Sequence, residues 1–187
     1  RNQRMIIVGE KINTSRKAVA EAVEKKDAEW IQEAAKAQAE AGADYIDVNA
    51  GIFVGREPEY LKWLVETVQQ VTDKPCAIDS PDPEAIQAAM TVHQGTPMIN
   101  SISLEKDRYE KLMPIIAGTD MKVIALCMSD AGMPQTVDDR MKIAAALLAV
   151  SITPSGAASN TGCGKASRMV GPSLANAAIR PCVSASG

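Results

Sequence analysis

The sequence predicts an α/β fold built on parallel strands, and three observations carry that prediction. Short runs rich in Ile and Val recur without strict alternation, as in strands covered on both faces. Amphipathic helical patterns separate them. Polar residues follow the runs at once, where parallel α/β folds place the loops that hold ligands.

The apolar runs, in order, are Met5–Val8, Tyr45–Val48, Cys76–Ile78, Met98–Ile99 and Lys122–Met128. Between them the helical spacing is plain. Asp27 is placed to cap a helix that carries Trp30, Ile31, Ala34, Gln38 and Ala41, with Gly42 placed to end it. Leu61, Leu64, Val65, Val68 and Val71 form a second apolar stripe. A third helix opens with Asp82 as cap and Pro83 in its first turn, and turns Ile86, Ala89 and Met90 inward. Tyr109, Leu112, Met113 and Ile116 mark a fourth. Alternation of this kind implies right-handed crossovers between parallel strands. Periodicity alone does not separate a closed barrel from an open sheet.

The pattern fades after Leu148. Ala, Ser, Gly and Pro dominate residues 149–187, with few large apolar side chains and no clear period. The domain is therefore expected over residues 5–148. The tail reads either as a flexible linker or as the end of a truncated or frame-shifted sequence outside the fold. Residues 1–4 precede Met5 and read as a scar or an upstream fragment.

Composition narrows the function classes. A formal net charge of -3 and 3% aromatic residues offer neither a cationic footprint nor stacking rings for nucleic acid. Apolar runs such as Met5–Val8 are too short to cross a bilayer, and no secretory signal opens the chain. Cys76, Cys127, Cys163 and Cys182 lack the spacing of a zinc site or a disulfide framework, so a reducing cytoplasm is the expected setting. His93 is the single histidine, which gives no basis for a His-based triad or a His-rich metal centre. It reads as a solvent-facing residue or one that favours a helix C-terminus.

Polar residues cluster by position. Glu10 and Asn13 follow the first run, Asn49 the second, Asp79 the third and Asn100 the fourth, while Asp47 lies inside the second. Carboxyl ends of parallel strands share one mouth, so these six side chains are expected to converge. A carboxylate there can accept two parallel hydrogen bonds from an amidine-like edge such as a pterin's. An asparagine offers a donor and an acceptor together. Taken singly, each has a structural alternative: Asp79 as a turn residue before Pro81, Glu10 as a rim partner of Lys11 or Lys17. Recurrence at four successive strand ends favours a site.

At these strand ends the sequence resembles the methyltetrahydrofolate methyltransferases, a family that includes the folate module of cobalamin-dependent methionine synthase. The matching pieces are VGEKIN (8–13), GADYIDVNAG (42–51), AIDSPDPEAI (77–86), MINSIS (98–103) and MSDAGMPQTVDDR (128–140). Each is weak alone, but the ordered set is specific. The resemblance implies a pterin-binding TIM (β/α)8 barrel, of which about five strand–helix units are visible; a whole barrel takes roughly 250 residues. Dihydropteroate synthases share that fold, yet GEKIN, VNAG and NSIS stand where their usual loops would differ.

The resemblance further implies that Asp79 holds the amidine edge of the pterin and Asn100 pairs with the same ring. Glu10, Asn13, Asp47 and Asn49 would shape the site. The methyl donor would be 5-methyltetrahydrofolate, and the acceptor a corrinoid (cobalamin) on a partner protein or domain, in cytoplasmic one-carbon metabolism. No resident metal is implied, and a homodimer is allowed. The family's aspartate after the sixth strand and its asparagine after the seventh find no match, and Asn160 and Asn176 lie in no matching context. The catalytic group is thus unassigned, and activity is expected of the intact parent rather than of this chain alone. The alternatives are a dihydropteroate synthase-like enzyme or a folate-binding fragment without turnover.

Overall fold

A computed structural model describes residues 5–152 and 177–180 of the chain. Its elements run β1 (Val8–Asn13), α1 (Lys17–Glu24), α2 (Ala28–Glu40), β2 (Tyr45–Asn49), α3 (Glu57–Gln69), β3 (Cys76–Asp79), α4 (Pro83–Met90), β4 (Met98–Leu104), α5 (Lys106–Ile116), β5 (Lys122–Ser129), α6 (Val137–Ile152) and β6 (Ala177–Arg180). The strands form one sheet in the order β1-β2-β3-β4-β5-β6, and every neighbouring pair is parallel. Spatial order follows sequence order, which is how the front part of a (β/α)8 barrel is laid down.

The helices form for the local reasons that their sequences suggest. The Asp27 side chain accepts from the Trp30 N–H at 3.1 Å and closes the start of α2. At its end Gly42 adopts φ +94°, a conformation that glycine takes without strain. The Gly42 N–H then reaches the Ala39 carbonyl and the Ala43 N–H the Gln38 carbonyl, the paired bonds of a Schellman ending. Asp82 caps α4 by accepting from the Glu84 N–H at 2.9 Å, with Pro83 in the first turn. The stripes of α3 and α5 bury Leu61, Leu64, Val65 and Val68, and Leu112, Met113 and Ile116.

Two apolar clusters lie on opposite faces of the sheet. The larger joins Ile46, Val48, Cys76, Ile78, Ile99 and Ile102 to the inward residues of the helices. The smaller consists of Tyr45, Ala77, Met98 and Ile124, with Val8 and Leu126 packed against it, and includes no helical residue. Side chains alternate along a strand. Tyr45, Asp47 and Asn49 therefore share this second face, as do Ala77 with Asp79 and Met98 with Asn100. β2, β3 and β4 are buried on both sides, but the inner face changes from apolar to polar toward the carboxyl ends.

Three expectations need correction. The first strand does not span Met5–Val8: Met5, Ile6 and Ile7 are exposed, and β1 begins at Val8. GEKIN is thus strand rather than loop, with a register irregularity between Gly9 and Ile12. α1 was not among the expected helices, and it buries Val19, Ala22 and Val23. Finally, residues 149–187 are not wholly apart from the fold: α6 runs to Ile152, and Ala177–Arg180 pairs with Val123–Leu126 of β5. The remainder of that tail, with Asn160 and Asn176, lies outside the described residues.

Candidate pterin site

The inner-face polar residues of β2, β3 and β4 meet in two amide–carboxylate pairs. Asn49 donates from Nδ2 to Asp79 Oδ2 at 3.0 Å and to the Asp79 carbonyl at 3.2 Å. Asn100 donates from Nδ2 to Asp47 Oδ2 at 2.9 Å, reaching across β3 to do so. Asp79 and Asn100 are register partners on adjacent strands. The expected convergence therefore holds for Asp47, Asn49, Asp79 and Asn100.

Glu10 and Asn13 occupy different positions. Glu10 is exposed on β1, yet its charge acts on Asp79. Asn13 pairs in register with Asn49, and its Oδ1 accepts from the Ser15 N–H at 3.0 Å, closing a turn at the rim.

Two side chains that no motif singled out complete the arrangement. Thr14 is buried and donates from Oγ1 to Asn49 Oδ1 at 3.0 Å. Arg108, half-buried in the first turn of α5, donates from Nη1 to the Ser101 carbonyl at 3.2 Å and to Ser101 Oγ at 3.1 Å. Its charge also reaches Asp79. A hydroxyl in a loop and a cation on a helix leave no periodic signal, so only the tertiary structure reveals them.

Electrostatics separates the two carboxylates. Burial pushes the Asp79 carboxyl above its ordinary range, the Asn49 hydrogen bond and Arg108 pull it down, and Glu10 adds a smaller upward push. Asp47 is 1% exposed and paired with Asn100. Next to it, burial and then the Asp47 charge push the Cys76 thiol up to about 12. Cys76 is therefore a packing residue rather than a nucleophile.

His93 is neither solvent-facing nor near this mouth. It is half-buried past the end of α4, and its Nε2 accepts from the Cys76 N–H at 2.9 Å, at the opposite end of β3 from Asp79. Among the described residues, no group of three or more His, Cys, Asp or Glu could hold a metal ion. No described helix is long and apolar enough to cross a membrane.

The pterin binding enzyme family matches residues 9–160, which take in both pairs, Thr14 and Arg108. The chain belongs to that family. Among curated proteins it is 40% identical, over 141 residues, to the methylcorrinoid:tetrahydrofolate methyltransferase of Eubacterium limosum, covering 74% of this chain and 52% of that protein. It is 27% identical over 151 residues to the methionine synthase of Mycobacterium leprae (strain TN), covering 77% of this chain and 12% of that protein. The methionine synthase of Mycobacterium tuberculosis (strain ATCC 25618 / H37Rv) is 26% identical over 151 residues, 77% and 13% of the respective lengths. The chain thus spans about half the length of the first relative and a smaller share of the other two.

The residues present suit a pterin. Its amidine edge offers an N–H and an amino group side by side, which a carboxylate accepts together. Asp79 stands at the carboxyl end of β3, with its register partner Asn100 beside it on β4. Asn100 gives Nδ2 to Asp47, and its carbonyl oxygen can only accept.

Proposed function

We propose that this barrel binds 5-methyltetrahydrofolate and takes part in moving its methyl group to a corrinoid carried by a partner protein or domain. The single observation that carries the reading is the pair of amide–carboxylate contacts, Asn49–Asp79 and Asn100–Asp47, on the inner face of β2, β3 and β4. The names of the relatives supply the chemistry: one couples a methylcorrinoid to tetrahydrofolate, the others are methionine synthases. The first name gives the methyl transfer in the reverse direction. One site serves both directions, because forward and reverse reactions cross the same transition state.

The work of the chain is binding and orientation. Asp79 fixes the ring through its amidine edge and Asn100 selects its rotation, so that the methyl-bearing nitrogen faces the mouth. The corrinoid supplies the metal-centred methyl acceptor. Ile52 and Val54 in the loop after β2, and Met133 in the loop after β5, are exposed apolar residues on the rim of that mouth, where such a partner would approach. A group that assists the departing ring nitrogen is unassigned among the described residues. The cytoplasm suits a protein whose described cysteines, Cys76 and Cys127, are free thiols.

Calorimetric titration with 5-methyltetrahydrofolate, followed by methyl transfer to reduced cobalamin, tests the reading. Binding with transfer supports it in full. Binding without transfer reduces it to a folate-binding domain, and no binding removes it.

A further inference from the structure

We propose that Arg108 is a positioning residue of the pterin site, gripping β4 at Ser101 and acting with its positive charge on the Asp79 carboxylate. The proposal rests on the pterin-binding reading and deepens it.

The geometry is specific. One guanidinium nitrogen, Nη1, holds both the carbonyl and the hydroxyl of Ser101, which is 4% exposed. Ser101 follows Asn100 directly, and Asn100 is the register partner of Asp79. Arg108 thereby ties α5 to the backbone at the β4 side of the site. Two charged side chains act on Asp79: Glu10, from β1, and Arg108, from α5. Asp47 shares the inner face of β2 and is paired with Asn100, and Asp82 and Glu84 open α4, where Asp82 acts as the cap. These four are acidic, whereas Arg108 is a cation.

That asymmetry has a chemical purpose. An amidine edge presents two donors, so Asp79 serves only as a carboxylate; a protonated carboxyl would oppose one donor with another. Burial and Glu10 favour the protonated form, whereas Asn49 and Arg108 favour the charged one. Arg108 thus acts on the pterin through Asp79 and through Ser101, the residue after Asn100, without needing to touch the ligand.

The test uses the full protein and two probes, 6-methylpterin, which has no glutamate tail, and 5-methyltetrahydrofolate. Arg108→Gln is expected to lose about threefold more 6-methylpterin affinity than wild type on going from neutral to mildly acidic pH, the scale of one partly screened charge contact. Arg108→Lys is expected to restore the wild-type pH profile. In the ligand-free protein the 13C carboxyl resonance of Asp79 should titrate at higher pH in Arg108→Gln. An equal loss at both pH values, an unmoved Asp79 resonance, or a loss confined to the tailed folate would overturn the proposal. Should Arg108→Gln not fold, Arg108→Met decides by the same reading: an Asp79 resonance titrating at higher pH upholds the charge role and an unmoved one overturns it. Wild type that binds neither probe removes the pterin reading and this proposal together; wild type that binds, with unchanged profiles in the variants, removes this proposal alone.

Discussion

Asn49 presents its amide nitrogen to Asp79 because its oxygen is claimed from the other side. The Gly51 N–H donates to Asn49 Oδ1 at 3.1 Å and the Thr14 hydroxyl donates to the same atom at 3.0 Å. A backbone N–H can only donate, so the opposite amide orientation would face donor against donor. Asn49 Nδ2 is thereby committed to Asp79 Oδ2. The carboxylate keeps lone pairs for a ligand, since each oxygen can accept more than one bond.

Asp79→Asn is therefore expected to weaken pterin binding by about 2–4 kcal/mol, the cost of truncating one side of a buried charge-assisted pair. Its carbonyl can still accept from Asn49, but its amino group meets the ligand's donors. Stability should move the other way. The folded-state carboxyl titrates above its ordinary value of 3.8. The folded protein then binds more protons than the unfolded chain in the window just above that value, and wild-type stability falls as pH rises through it. The variant lacks this loss and should be at least as stable as wild type near neutrality, with the advantage gone below the ordinary carboxylate range. Calorimetric titration and urea unfolding at the two pH values measure both effects. Equal pterin affinity would make Asp79 a turn residue.

Thr14→Val tests the support behind Asn49. Thr14 is 1% exposed, and valine keeps its branched shape while removing the donor. A loss of about 1 kcal/mol in unfolding free energy is expected from the missing hydrogen bond. Pterin affinity should fall less than in Asp79→Asn, because the Gly51 N–H still orients the amide. Unchanged stability would mean that the hydroxyl bond has no net value in the fold.

How far the sequence foretold these features depends on how local their causes are. The caps at Asp27 and Asp82, the turn at Gly42 and the stripe from Leu61 to Val68 follow from neighbouring residues, and the structure has them where the pattern puts them. Asp47, Asn49, Asp79 and Asn100 were legible as a set because each lies in or just after an apolar run, and the carboxyl ends of parallel strands share one mouth. The start of β1 was not, because Met5, Ile6 and Ile7 are as apolar as a core strand yet lie exposed before it. Ala177–Arg180 carries two alanines, one isoleucine and an arginine, too little side-chain signal to announce a strand. Thr14, Arg108 and His93 act through contacts 35, 7 and 17 residues away in sequence. Such partnerships exist only once the chain has folded.

His93 should make stability sensitive to mild acid. Its Nε2 accepts from the Cys76 N–H, which requires the ring to be neutral. Burial lowers its folded-state pKa below the ordinary 6.5, with backbone contacts at Gly95 and Cys76 opposing. In the window below 6.5 the unfolded chain binds more protons than the folded one, so this contribution is whole above the window and is lost as pH falls through it. His93→Gln keeps a possible acceptor and does not titrate. Urea midpoints across the window should fall more steeply for wild type than for the variant. Parallel profiles would show that His93 does not titrate differently on folding.

Gly9→Ala tests the contact that sets β1 against α2. A Cβ built on Gly9 would stand 2.7 Å from Gln38 Oε1, and 3.1 and 3.2 Å from its Cδ and Cβ. The end of a glutamine is flexible, but this one is held at both atoms. Gln38 Oε1 accepts from the Lys11 N–H at 2.8 Å, and Nε2 donates to the Ala34 carbonyl at 3.1 Å. The side chain is 5% exposed, so it cannot swing into solvent without leaving the Lys11 N–H without its partner. The substitution is expected to cost about 1–3 kcal/mol, through overpacking together with that lost bond. Because the bond sits beside Glu10, the variant should also disturb the β1 side of the proposed pterin site. Gln38→Ala alone loses the bond, whereas Gly9→Ala with Gln38→Ala removes the closest clash and keeps only the tight contact to Cβ. The double variant should therefore be less destabilised than the sum of the two single ones, and a thermodynamic cycle from urea unfolding reads the difference. Strict additivity would show that Gly9 and Gln38 do not press on each other, and that the glycine is there for some other reason.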